Sequence, residues 1–269
     1  MLKNISITLL LLMMAANAFA QRSAPASKSE LAEITERGRQ LAEYDFAAWH
    51  STDAVMELKP EQGSVTRYIA KKTEAGWTVV FGRLNERRDK FLIAYEAVPG
   101  KTPQEFNAKK HEKVKEDSGF YLFAARAIDL AQADFKREDR PYNVAVLTAK
   151  SEQLYVYLMP AQTKEGVYPL GGDARYLISQ DGAKILEKRQ LHKSILDFAI
   201  PDNTQKPEAG YHIAVLDDVP EDTDVLHVLL RKPSFIELVG TKNYVYQIET
   251  DGTINYLMTR EAFTKLKGQ

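Results

Sequence analysis

Three of the five histidines, His192, His212 and His227, fall within 36 residues. Imidazoles change charge near neutral pH and ligate divalent cations, so any two of them beside an acid could hold a metal or work as an acid/base pair. Asp217, Asp218 and Asp222, between His212 and His227, could supply the acid. His212 sits in "YHIAVLD" and His227 in "TDVLHVLLR", runs that flank "DVPED" and are expected to form the two arms of a hairpin. If Asp217 pairs with Asp224, His212 lies opposite Leu229, and His227 shares its face. A slip of one residue would separate them. Periodicity does not decide, because both faces of each arm carry apolar residues. Packing of hydrogen-bonded core histidines is the simpler reading, and from sequence it outweighs a site. His192, His212, His227 and Asp218 are therefore held as ligand-binding candidates, with neither a metal nor a cofactor assigned.

Asp45 is the fifth candidate. It lies in "YDFAAWHSTD", on an expected long helix. Counted at about 100° per residue from Leu31, the residues Leu41, Tyr44, Ala48, Trp49 and Met56 share an apolar face, and Asp45 falls inside it at about 320°. A carboxylate there must find a partner or stay protonated, since an unpaired buried charge is costly. A structural acid bonded to an arginine, a tyrosine or a backbone amide is the plainer expectation. A pocket acid with an altered pKa is the functional one. His50 falls off this face and Asp53 at its margin.

These residues depend on the elements that carry them. Ser27 with Glu30 has the pattern of a capping box, opening a helix from about 28 to 50 or beyond. "VTRYIAKK", "WTVVFGRL" and "KFLIAYEAV" read as a three-stranded antiparallel meander. "TPQE" at 102–105 signals another helix, ending near Asp117-Ser118-Gly119, with a more apolar helix from Phe120 to about Phe135. "KKHEKVK" at 109–115 would lie on the solvated face of the first of this pair. "KREDRP" at 136–141 is the best candidate for an internal boundary. Strands dominate the second half, and Thr259 caps a short final helix. The fold class is α+β: a large, mostly antiparallel sheet built from hairpins, with an N-terminal helix and a central helical pair.

"YLISQDG" at 176–182 recurs as "YQIETDG" at 246–252. Asp-Gly supplies the left-handed positions of a tight turn, and a tyrosine and an isoleucine two apart share a strand face. Two similar hairpins account for the repeat, and Asp181 and Asp251 are turn residues. The alternations Tyr155/Tyr157 and Tyr244/Tyr246 are read as sheet packing rather than a glycan or peptide platform.

The common chemical motifs are absent. There is no G-x-G-x-x-G, no phosphate-binding G-x-x-x-x-G-K-[ST] and no G-x-S-x-G. "HEKVK" at 111–115 puts Lys115 where a zinc protease helix needs its second histidine. "DDVPED" lacks the alternating oxygens and central glycine of a calcium loop.

The chain has no cysteine, which excludes disulfides, thiolate metal sites and a lipid-modified N-terminus. Lysine and arginine number 36 against 37 acids, so no nucleic-acid footprint is expected. Lys3, the apolar run from Ile5 to Ala16 and Ala18-Phe19-Ala20 make a signal peptide over 1–20, cleaved before Gln21. A disordered leader is expected over 21–30, then a single domain over 31–269. No later segment suits a membrane span. These features describe an exported bacterial protein, periplasmic or secreted. It is expected to be a non-catalytic binding or envelope-associated protein with a protein or small-molecule partner that the sequence does not name. The alternative is a hydrolase, with or without metal assistance, using the His/Asp cluster of the C-terminal half.

Overall fold

A computed structural model of the chain describes residues 22–136, 138–199 and 207–267; the expected signal peptide lies outside them. The fold is α+β, with four helices and fourteen strands among the described residues, paired antiparallel except at one place. The strands form four sheets rather than one large one. No helix among the described residues is long and apolar enough to cross a membrane.

Helix α1 (Lys28–Glu57) begins where the cap pattern places it, with Ser27 Oγ accepting from Glu30 N at 3.2 Å. Before it, within the stretch expected as a leader, Ala26 is buried and its N–H donates to the Tyr246 hydroxyl. Strands β1 (Arg67–Thr73), β2 (Gly76–Leu84) and β3 (Phe91–Pro99) form the expected meander. The helix expected over 102–117 is instead a fourth strand, β4 (Phe106–Asp117), paired along β3. Only α2 (Phe120–Asp134) of the central pair is helical. "KKHEKVK" is thus a solvated strand rather than a solvated helix face, and β4 carries no fully buried residue to show a strand period.

Strands β5 (Tyr142–Thr148), β6 (Leu154–Pro160), β8 (Ala174–Ile178) and β9 (Ile185–Gln190) make the second four-stranded sheet; β7 (Val167–Gly171) pairs with β10 (Ile195–Ala199) outside it. The first two sheets meet at β1 and β5. Alternate residues of both face two cores. Ala70, Val79, Ala145 and Tyr157 turn to α1, while Ile69, Val80, Val146 and Val156 turn to α2. Burial on both faces explains why these strands read as nearly continuous apolar runs. Both cores also contain residues from either side of 136–141.

The last sheet, β11 (Ala209–Ile213), β12 (Ile236–Gly240), β13 (Tyr244–Ile248) and β14 (Ile254–Thr259), overturns the histidine hairpin. "TDVLHVLLR" is a helix, α3 (Asp222–Leu230), crossing over between β11 and β12, which pair in parallel. A short apolar run fits either a buried strand or a buried helix, and this one packs against α1 as well as the sheet. Helix α4 (Arg260–Lys267) closes the chain, with Thr259 Oγ1 accepting from Ala262 N.

Candidate functional site

The structure brings together two of the three histidines, but not as hairpin partners. His192 lies in the loop between β9 and β10, and His212 on β11. The acid between them is Asp224, in the first turn of α3. Its Oδ1 stands 3.0 Å from His192 Nε2 and 3.0 Å from His212 Nε2. Its Oδ2 accepts from Glu221 N at 2.7 Å, which fixes the carboxylate at the helix start.

Each histidine is held from its far side by another acid. His192 Nδ1 is 2.9 Å from Asp173 Oδ1, an oxygen that also accepts from His192 N at 3.1 Å. The second oxygen of Asp173 accepts from the Thr223 hydroxyl. His212 Nδ1 is 2.9 Å from Glu237 Oε1 on β12, and Glu237 Oε2 accepts from Arg231 at 2.6 Å. Gly210 makes room for this pairing, because a Cβ there would meet Glu237 Oε2 at 2.0 Å.

The two Nε2 atoms and Asp224 Oδ1 are buried without a hydrogen-bond partner. The oxygen lies within reach of both nitrogens but off the direction in which each ring nitrogen points. Burial works to lower His192 and His212. The Asp173 and Asp224 carboxylates overcome it at His192, and Asp224 and Glu237 overcome it at His212, which is pushed up to about 9. Burial would raise Asp224, but the two histidines hold it well below the usual carboxylate range.

The other expected residues go elsewhere. His227 is one turn further along α3, its ring tilted against that of Phe198 with centroids 4.9 Å apart, and its buried Nε2 unpartnered. Burial, then the charge of Arg231, drops it to about 3 and keeps the ring neutral. Asp218 is not in the cluster, since its carboxylate accepts from Asn243 N and Asn243 Nδ2 and so clamps a turn. Asp217 pairs with Arg189 at 2.8 Å. Asp222 joins Arg37, Arg175 and the Tyr157 hydroxyl at 2.9, 2.6 and 2.8 Å, tying α3 to α1 and the second sheet.

Beside this network is a cavity of about 400 Å³, lined by Asp45, Trp49, Tyr68, Met159, Asp173 and His227 among others. Asp45 is half-buried and makes no hydrogen bond or ion pair with any described residue, so the expectation of a bonded structural acid fails. Burial raises its carboxyl to about 6. Trp49 and Met56, expected on the buried face of α1, are 62% and 61% exposed. The buried stripe drifts because α1 meets the last sheet through Leu31 and Ile34 and the first core through Tyr44, Ala47 and Val55. A single wheel projected from Leu31 misses that change of partner. Asp173, Glu237 and Asp224 were not singled out from sequence. Only their residue type could have flagged them, because each meets its histidine across distant segments.

No family model, curated protein or solved structure matches this chain.

Proposed function

We propose that the protein is an exported, non-catalytic binding protein whose ligand is a small molecule with an apolar body and a positively charged or hydrogen-bond-donating group. The observation that carries this reading is the Asp45 carboxyl, which borders a cavity of about 400 Å³ without a hydrogen-bond or ion-pair partner among the described residues. That volume suits a small ligand, and mostly apolar walls with a few convergent polar groups are what such pockets use. Two aspartates, Asp45 and Asp173, border the cavity, and no lysine or arginine does so among the described residues. An amine would satisfy Asp45, and Trp49 and Tyr68 would cover its apolar part. The signal-peptide pattern over 1–20 supports export.

A metal-assisted hydrolase would have to offer His192, His212 or Asp224 to a substrate. From that cluster, the residues bordering the cavity are Asp173 and Thr223, which stand behind the histidines. This favours binding over catalysis.

The test is titration of the purified chain with phenethylamine, 2-phenylethanol and 3-phenylpropionate above pH 7, followed by tryptophan fluorescence and ligand-observed NMR. The amine is expected to bind more tightly than the acid, with Asp45→Asn removing the preference. Equal binding of amine and acid, or a preference that survives in Asp45→Asn, would overturn the reading.

A further inference from the structure

The geometry points to a site for one divalent transition-metal ion of the zinc class, held by His192 Nε2, His212 Nε2 and Asp224 Oδ1. We infer this from the cluster itself, independently of the adjoining cavity.

The three donor atoms all lie within 4.8 Å of one another, and the two nitrogen–oxygen separations are 3.0 Å. Metal bonds of about 2.1 Å set donors about 3.0 Å apart at right angles and about 3.4 Å apart at tetrahedral angles. Both nitrogen–oxygen separations are therefore already those of a ligand set.

The unpartnered atoms make the stronger argument. If both histidines were imidazolium, each Nε2–H would be a buried donor in need of an acceptor. The oxygen at 3.0 Å lies off both ring directions, and neither bond forms. Leaving two such donors unpaired costs free energy in each case. A metal removes the problem, because it takes lone pairs instead of protons and binds the carboxylate oxygen at the same time.

Charge agrees. Asp173, Asp224 and Glu237 bring three negative charges around the rings, and Arg231 returns one positive charge. Two negative charges remain, and one divalent cation on two neutral histidines balances them.

The outer contacts are those of a ligated imidazole. Both Nδ1 atoms face carboxylates, Asp173 and Glu237, so each donates its proton outward and presents the Nε2 lone pair inward. Two imidazoles and one carboxylate suit zinc, cobalt or iron better than calcium or magnesium, which prefer all-oxygen shells. The ligands come from the β9–β10 loop, β11 and α3, so the ion would cross-link three segments of a chain that has no cysteine for a disulfide.

The test uses the full chain, stripped with EDTA, dialysed, and titrated with zinc chloride by calorimetry and with cobalt(II) chloride by visible absorption. One equivalent of each is expected, and cobalt should develop the intense visible bands of a low-symmetry site. Zinc affinity should fall at least 100-fold in His212→Ala and about 10- to 100-fold in Asp173→Asn, which leaves every ligand in place. His50→Ala should bind as wild type does. If His212→Ala does not fold, the wild-type titration and Asp173→Asn decide. A wild-type chain that takes up no zinc and leaves cobalt in its pale aqueous form overturns the site, as does one equivalent bound equally well by Asp173→Asn.

Discussion

Helices α2 and α3 do the same architectural work with opposite chemistry. Each lies over a strand hairpin that ends in Asp-Gly, and each is touched by the glycine of that turn. A Cβ on Gly182 would meet Phe123 O at 2.1 Å, and one on Gly252 would meet Val225 Cγ1 at 2.9 Å. Beneath them Tyr176 and Ile178 in one sheet, and Tyr246 and Ile248 in the other, are fully buried. The buried face of α2 is Leu122, Ala124, Ala125, Ala127, Ile128 and Ala131. On α3 the buried residues include Asp222, Thr223, Asp224 and His227. A hairpin of this kind therefore accepts a helix whose buried face is all apolar, as α2 demonstrates, and nothing in the packing itself calls for charges on the buried face of α3. Buried charges must recover their desolvation from partners, and apolar replacements of similar volume are often as stable. The polar face of α3 is thus a cost that the fold does not impose. That places the candidate site there and not beneath α2.

The comparison can be broken most severely at Asp222. Asp222→Ala leaves Arg37, Arg175 and Tyr157 without their acceptor and is expected to cost about 3–5 kcal/mol in urea denaturation. A loss below about 1 kcal/mol would mean that the α3 network carries little of the stability assigned to it. The two turns come next. Gly182 and Gly252 both have positive φ, at 72° and 85°, so alanine is strained at each. Gly182→Ala also collides with backbone, whereas Gly252→Ala meets the end of a side chain. Losses of about 2–4 and about 1–2 kcal/mol are expected in that order, and the reverse order would show that the helices do not sit on their turns as described.

The last effect is a pH dependence carried by Asp45, on α1 beside the cavity. Burial raises the Asp45 carboxyl from 3.8 to about 6 in the folded chain, so the native state binds that proton more tightly than the unfolded state. Its contribution is then fully present below about pH 4 and is lost as pH rises through 6, by ~2 kcal/mol once partial exposure is allowed for. His227, held near 3, works in the opposite direction over the same range, so the quantity to follow is the stability difference between wild type and Asp45→Asn, which urea denaturation from pH 4 to 7 should show falling by this amount. Parallel curves for the two proteins would remove Asp45 as a buried acid.

Where local chemistry decides structure, the sequence was readable. Ser27 and Thr259 cap helices, and the Asp-Gly pairs turn the β8–β9 and β13–β14 hairpins, with Asp181 and Asp251 each accepting from the backbone N–H two residues on. It misled about helix against strand in two places. "TPQE" carries helix-start chemistry, yet the chain after it extends β3, because pairing with a neighbouring strand outweighs a cap signal in a segment with no buried stripe. "TDVLHVLLR" has too short a period to tell helix from strand, and only its burial between α1 and the last sheet makes it helical.

The candidate site follows the same division. Residue type with spacing along the chain identified His192, His212 and Asp45 as out of place, since imidazoles and an acid among apolar residues need partners wherever they fall. Which partners they have depends on contacts between segments far apart in the chain. Asp173 reaches His192 across a strand pair, Glu237 reaches His212 across a parallel ladder, and Asp224 meets both from a helix that resembles a strand in sequence. Spacing along the chain carries information over a few residues, through turns, caps and periodicity. Convergence of side chains is set by packing, and the tertiary structure alone decided that two histidines meet at one carboxylate while the third and Asp45 face a cavity.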